Sequence, residues 1–198
     1  MKDFWNQRYA KKEYAYGIEP NDFFRTEIDK LRKGKLLLPG EGEGRNAVYA
    51  AKHGWEVTAV DFSVKAKVKA NKLAVKHNVE IKYIVESLNK AELPEDYFDA
   101  VAFISVHLHD DDLEKGMQKI FKSMKSGATF IFECFSEKQL GRKTGGPKTI
   151  DRLYSVAQIR RVLNDFNIDY LQEVEIPMNE GEYHRGRAMV IRAVAVKP

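Results

Sequence analysis

Residues 39–44 read PGEGEG and follow the apolar run Leu36-Leu37-Leu38. Gly40, Gly42 and Gly44 alternate between that run and RNAVYAAKHG, which has the character of a helix start. Glycines after a strand allow a tight turn and let a ligand approach the backbone closely. The next apolar run, EVTAVD, ends in Asp61. An acid there is placed to accept hydrogen bonds from both hydroxyls of a ribose. Its other reading is an N-cap for the following helix, a job that Ser63 also suits.

Two cofactor classes share this layout. A dinucleotide sets a pyrophosphate on the loop and the helix N-terminus. S-adenosylmethionine (SAM) carries no phosphate and presents a sulfonium and an amino-acid group. Glu41 and Glu43 flank the glycines, and each close pair of like charges costs on the order of 1 kcal/mol even in water. The acidic loop therefore favours SAM. An NAD-dependent oxidoreductase is the poorer reading, and a SAM-binding protein without catalysis is a further one.

Other residues capable of chemistry lie downstream. His107 and His109 follow the run FDAVAFI, and Asp110 to Asp112 come next. A histidine near neutral pKa serves as a base or polar orienter, or simply as a structural loop residue; His107 is the candidate catalytic group. No further ligand motif supports a metal there, and none is expected. Tyr183, His184 and Arg185 sit between the last two strand-like runs, as acceptor contacts or an exposed turn. Gly145, Gly146 and Pro147 lie in a long loop suited to shaping an acceptor pocket. Cys134, the single cysteine, reads as a buried inert thiol.

Alternating elements must position these groups. Strands are expected at Lys35–Pro39, Glu56–Val60, Ile81–Val85, Phe98–Ile104 and Ala128–Cys134. Helices are expected at Arg45–His53, Ser63–His77 and Asp110–Met124, with a short weak segment near 88–93. Ser63 and Asp110 are placed as N-caps, and Gly54 and Gly127 as helix ends. Such alternation means a parallel sheet covered on both faces. The last third differs: a helix at Ser155–Phe166, then strands Asp169–Ile176 and Arg187–Val196 joined by the turn-rich PMNEGEYHRG. Two strands in succession imply an antiparallel pair at the sheet edge. The aromatic stretch DFWNQRYAKKEYAYGIEPNDFF lies outside the alternation and reads as a cover packed on the sheet, a lid, or both.

The bulk properties set limits. The chain has 198 residues, 43% apolar and 31% charged, which suits one globular domain. It shows neither an apolar run of membrane-span length nor a secretory h-region, and one cysteine permits no intrachain disulfide; a cytoplasmic location is expected. The net charge is +4. The densest basic stretch, Lys65, Lys67, Lys69, Lys72 and Lys76, reads as a solvated helix face; without interleaved aromatics to stack bases, no nucleic-acid partner is expected.

FWNQRY, YGIEPNDF, LLLPGEGEGRNAVYAAKHGWEVTAVDFS, FDAVAFISVHLH and GATFIFECF together resemble the class I SAM-dependent methyltransferases. Within them the chain is most similar to the tellurite-resistance-type enzymes related to the thiopurine methyltransferase group. The resemblance implies a Rossmann-like, doubly wound α/β fold. Its sheet is mostly parallel, with seven strands in the order 3-2-1-4-5-7-6, strand 7 antiparallel, and helices on both faces. It implies one domain over 1–198, with an arm (1–30), a SAM-binding core (31–136) and an acceptor side (137–198). Gly40, Gly42 and Gly44 would line the methionine of SAM, Asp61 would hold the ribose and Phe62 would lie against the adenine. Glu86, Ser87 and Leu88 would meet the adenine edge; Ile104, Ser105 and Val106 would approach the methyl end. Tyr16 and Trp5 belong to the arm that closes over SAM, Trp5 towards the acceptor. Many members carry an acid where Leu38 stands here, so the ammonium contact would be missing or pass to Glu41 or Glu43. The implied activity is methylation of a small molecule, a thiol or chalcogen compound, by a monomer or weak dimer with no membrane partner. S-adenosylhomocysteine (SAH) would be the product.

Overall fold

The computed structural model describes residues 2–198, and of Asp110 and Asp111 only the backbone. Seven strands form one sheet: β1 (Lys35–Pro39), β2 (Glu56–Asp61), β3 (Lys82–Val85), β4 (Phe98–Ile104), β5 (Met124–Phe135), β6 (Asn167–Glu180) and β7 (His184–Val196). Their order is β3-β2-β1-β4-β5-β7-β6. Strands β1 to β5 pair in parallel, and β7 runs antiparallel to both neighbours. Six helices accompany them: α1 (Lys2–Tyr9), α2 (Asp22–Ile28), α3 (Arg45–Lys52), α4 (Val64–Lys76), α5 (Asp110–Ser123) and α6 (Val156–Val162).

The central strands are apolar on successive residues because both faces are covered. Leu37, Val101 and Phe103 face a core completed by Leu113, Met117 and Ile120 of α5 and Ile159 of α6. Leu36, Leu38, Ala100 and Ala102 face the opposite core, with Phe24 and Ile28 of α2 and Ala47 and Ala50 of α3. Strand β1 crosses to β4 on one side and β2 on the other, so the crevice opens at the carboxyl ends of β1 and β4. Among the described residues no helix is long and apolar enough to cross a membrane.

Several boundaries differ from expectation. Helix α5 ends at Ser123 and β5 begins at once, so Gly127 (φ +77°) sits within the strand and does not end the helix. The position before α5 is His109, without a side-chain cap bond; the expected capping by the Asp110 side chain lies outside the described residues. Residues 88–90 form a turn and 91–93 are irregular, so no helix forms there. The stretch PMNEGEYHRG is mostly strand: β6 and β7 pair out to Glu180↔His184, leaving residues 181–183 as the turn. Its Pro, Asn and Gly content reads locally as a turn, but continuous cross-strand pairing overrides local preference. Ser63 does cap α4, accepting from the Ala66 amide at 3.2 Å. Lys69 departs from the solvated face, being only 9% exposed.

Candidate functional site

The glycine loop runs from β1 into α3. Gly42 adopts φ +64° and Gly44 φ +90°, conformations that side-chain-bearing residues rarely take. The Gly42 amide donates to Asp61 Oδ2 (3.1 Å), and its carbonyl accepts the buried Tyr83 hydroxyl (2.6 Å). A methyl group on Gly42 would lie 2.9 Å from the Tyr9 hydroxyl, and one on Gly40 would lie 2.6 Å from Val106. Side chains of the arm and of the β4 end thus occupy the room that the glycines leave.

The two glutamates of the loop do not form an open acidic rim. Glu41 accepts the Ala47 amide (2.8 Å) inside the first turn of α3, and burial pushes its carboxyl up to about 7. Glu43 accepts the Ala15 amide (2.7 Å) and forms an ion pair with Lys69. Both carboxylates are therefore engaged by the protein itself. The expectation at Leu38 is an ammonium contact either missing or passed to Glu41 or Glu43; in this structure those two carboxylates are held by Ala47, Ala15 and Lys69. Leu38 itself is 1% exposed and belongs to the core.

Asp61 ends β2 beneath α1. Oδ1 accepts the Ser63 amide at 2.8 Å and Oδ2 the Gly42 amide. Burial raises its carboxyl to about 6 against the pull of those two amides. The helix cap is the Ser63 hydroxyl, so Asp61 is spared that role. Phe62 beside it is half-buried. Glu86 is exposed and accepts the Ser87 amide (2.7 Å). Leu88 packs towards Gly116 of α5 and the core.

The arm covers this region. Tyr9, only 7% exposed, lies over the loop and stacks on Trp5 with centroids 5.5 Å apart. Sequence reading passed over Tyr9; its place in the quoted FWNQRY was the available signal. Ser63 donates to Asn6 of α1 (2.6 Å). Tyr16 sits between Trp5 (6.4 Å) and His184 (4.4 Å), and its hydroxyl accepts from Arg8 (2.9 Å).

At the end of β4, Ile104 is buried and Ser105 holds φ +56°, with its amide on the Glu133 carbonyl (2.7 Å). Positive φ at a non-glycine residue costs energy and clusters at sites. His107 is stacked between Phe135 (5.4 Å) and Tyr154 (5.5 Å), and its Nδ1 meets the Arg152 carbonyl (2.8 Å). Burial pulls its imidazole down to about 4. It is a neutral packing residue pinned to the loop, which does not suit the expected base. His109 pairs with Asp151 at the surface (2.9 Å). Among the described residues no cluster of His, Cys, Asp and Glu could hold a metal ion.

His184 and Tyr183 stand at the tip of the β6–β7 hairpin, against the arm. His184 is 5% exposed, packed by Tyr16 and, edge-on, by Phe135 (5.3 Å). Its Nδ1 lies 3.0 Å from Glu180, and Nε2 has no hydrogen-bond partner among the described residues. Burial lowers the imidazole pKa while Glu180 opposes that fall. Glu180 also binds Arg45 (3.0 Å), and Asn21 donates to both Glu180 (3.0 Å) and Glu133 (2.6 Å). Burial pushes Glu180 up, but His184 and Arg45 outweigh it and hold the carboxyl at about 2. The loop at Gly145 and Gly146 presses on His184 and Phe135. Tyr183 lies under Arg8, whose guanidinium is 3.9 Å from the ring. Arg45, Asn21, Glu133 and Glu180 are the residues that sequence reading missed, because their partners are far away in the chain.

Comparison with known proteins gives this geometry a context. A family described as a methyltransferase domain matches residues 37–132. An alignment 107 positions long is 29% identical to a tRNA (uracil(54)-C(5))-methyltransferase of Pyrococcus furiosus; it covers 47% of this chain and spans 26% of that enzyme's length. Among solved structures, TehB from Haemophilus influenzae superposes with a TM-score of 0.76 at 15% identity, over 100% of this chain and 67% of its own. A SAM-dependent methyltransferase from Methanosarcina mazei superposes at 0.72 and 17% identity, over 90% of this chain and 98% of its own. At these identities the structural likeness shows the fold.

Proposed function

We propose that this chain, which carries a class I SAM-dependent methyltransferase domain, methylates a small-molecule acceptor, a thiol or other chalcogen compound. SAM is the cofactor that this domain class takes, and when bound it supplies an electrophilic methyl group. The residues here fit it in kind. A buried carboxylate closes β2, and left-handed glycines carry β1 into α3. Asp61 would hold the ribose, and Gly40 and Gly42 would present backbone to the methionine portion. Tyr9 and Val106, now against those glycines, would have to yield that room.

The observation that carries the acceptor reading is the seat of His184. Tyr16, Phe135 and the hairpin tip enclose it, and Glu180 takes Nδ1, while Nε2 has no hydrogen-bond partner among the described residues. Such an enclosed aromatic corner suits a small molecule better than a polymer, which needs an open groove. His184, whose pKa burial lowers, would accept or orient the acceptor's proton at Nε2. His107 has no such freedom. An acceptor that is already anionic, such as a thiolate, would need positioning only.

The test is SAH titration by calorimetry, then a methylation panel of thiols, selenite, tellurite and tRNA. Asp61→Ala should weaken SAH binding at least about tenfold. Undiminished binding would mean that the cofactor lies elsewhere. Methylation of tRNA alone would replace the small-molecule reading, and SAH binding without any transfer would leave a binding protein.

A further inference from the structure

We propose that Lys69 is a positioning residue that latches the arm shut across the glycine loop and so sets how fast the site admits its ligand. The inference rests on the cofactor reading above. Lys69 stands on α4 among lysines that face solvent, yet it is buried. Its ammonium pairs with Glu43 of the glycine loop and donates to the carbonyls of Lys11 (2.9 Å) and Glu13. An ammonium has three protons, and three acceptors surround this one. The Tyr14 ring lies 4.8 Å from it, and the Tyr14 hydroxyl donates to the Lys69 carbonyl (3.1 Å). Glu43 takes the Ala15 amide as well. One buried charge pair thus ties three pieces of chain together: α4, the glycine loop and residues 11–15.

Residues 11–15 lie between the two tyrosines that matter. Tyr9, on one side, fills the space over Gly42; Tyr16, on the other, packs on His184. The Tyr9 hydroxyl has no hydrogen-bond partner among the described residues, so its place depends on what holds the chain around it. Any ligand that reaches the Gly42 backbone requires Tyr9 to leave. Lifting residues 9–15 breaks the carbonyl contacts of Lys69 and the Glu43–Ala15 bond together. Charge-assisted contacts of this kind are the strong ones, so the lifted form is the minor one, and the observed association rate scales with its population.

Stopped-flow SAH binding to the full chain, with Lys69→Met and Lys69→Arg, tests this. The Met variant should bind SAH about tenfold faster, and the Arg variant should stay near wild type. A merely structural lysine would not accelerate association when lost. Trypsin cleavage of the ligand-free protein after Lys11 and Lys12 should rise in parallel. Unchanged or slower association with unchanged cleavage overturns the proposal. If Lys69→Met does not fold, Glu43→Gln carries the same expectations. If the wild type binds no SAH, the cofactor reading fails, and the trypsin comparison alone decides whether Lys69 holds the arm.

Discussion

Glu41 is a buried acid whose main partner is an amide, not a cation. Its carboxyl is raised from 4.5 to about 7, burial being the main cause. Between those values the unfolded chain ionises first and binds fewer protons, so the fold loses stability as pH rises through that window. Glu41→Gln keeps an oxygen for Ala47 and removes the ionisation. The variant should gain on wild type from pH 5 to pH 8, by up to about 3 kcal/mol at the upper end. Urea unfolding at both pH values measures this, and a pH-independent difference would place the cause elsewhere. The inference from an acidic loop to a non-phosphate cofactor therefore ran through a charge that the protein largely neutralises, and the matching domain supports SAM by a separate route. Asp61 was legible because its strand and the glycines lie close in sequence. Glu180 and Arg45 were not, since 135 residues separate the partners.

At the scale of elements, the turn from β1 into α3 and the β6–β7 hairpin bear the most constraint. A methyl group at Gly44 would lie 2.7 Å from Ala70 of α4 while φ is +90°. Gly44→Ala should cost at least about 2 kcal/mol by urea unfolding, the scale of backbone strain plus a steric clash. At the hairpin, Glu180→Ala leaves Arg45 and Asn21 buried with an acceptor missing. Removing one partner of a buried pair costs about 3–5 kcal/mol, so this variant should be far less stable than one at the exposed Glu182. Equal losses would mean that the Glu180 network is solvated in solution. The core strands were readable from apolar periodicity. The hairpin's outer half was not, because PMNEGEYHRG becomes strand only through its partner, which periodicity within one segment does not reveal.

For the whole molecule, the arm, the glycine loop and the hairpin tip form one unit over the sheet. Ligand that binds only the folded state should stabilise it by about 2.7 kcal/mol at a hundred times Kd. For a chain of this size that is a rise in Tm of about 5 to 10 °C. A thermal-shift series with SAH, SAM and NAD checks it, and a rise with NAD alone would count against the domain's cofactor. The sheet order and a closing arm followed from resemblance, while the contacts that seat the arm did not, since they depend on where the hairpin tip ends. Lys11 reaches Glu182 and Tyr183, and its partners stand as much as 172 residues further along the chain. The Glu182 amide in turn donates to Ala15. Synthesis delivers the arm first and the hairpin last. The growing polypeptide therefore leaves the ribosome with its arm unseated, and the arm gains these contacts only after β6 and β7 have emerged and paired.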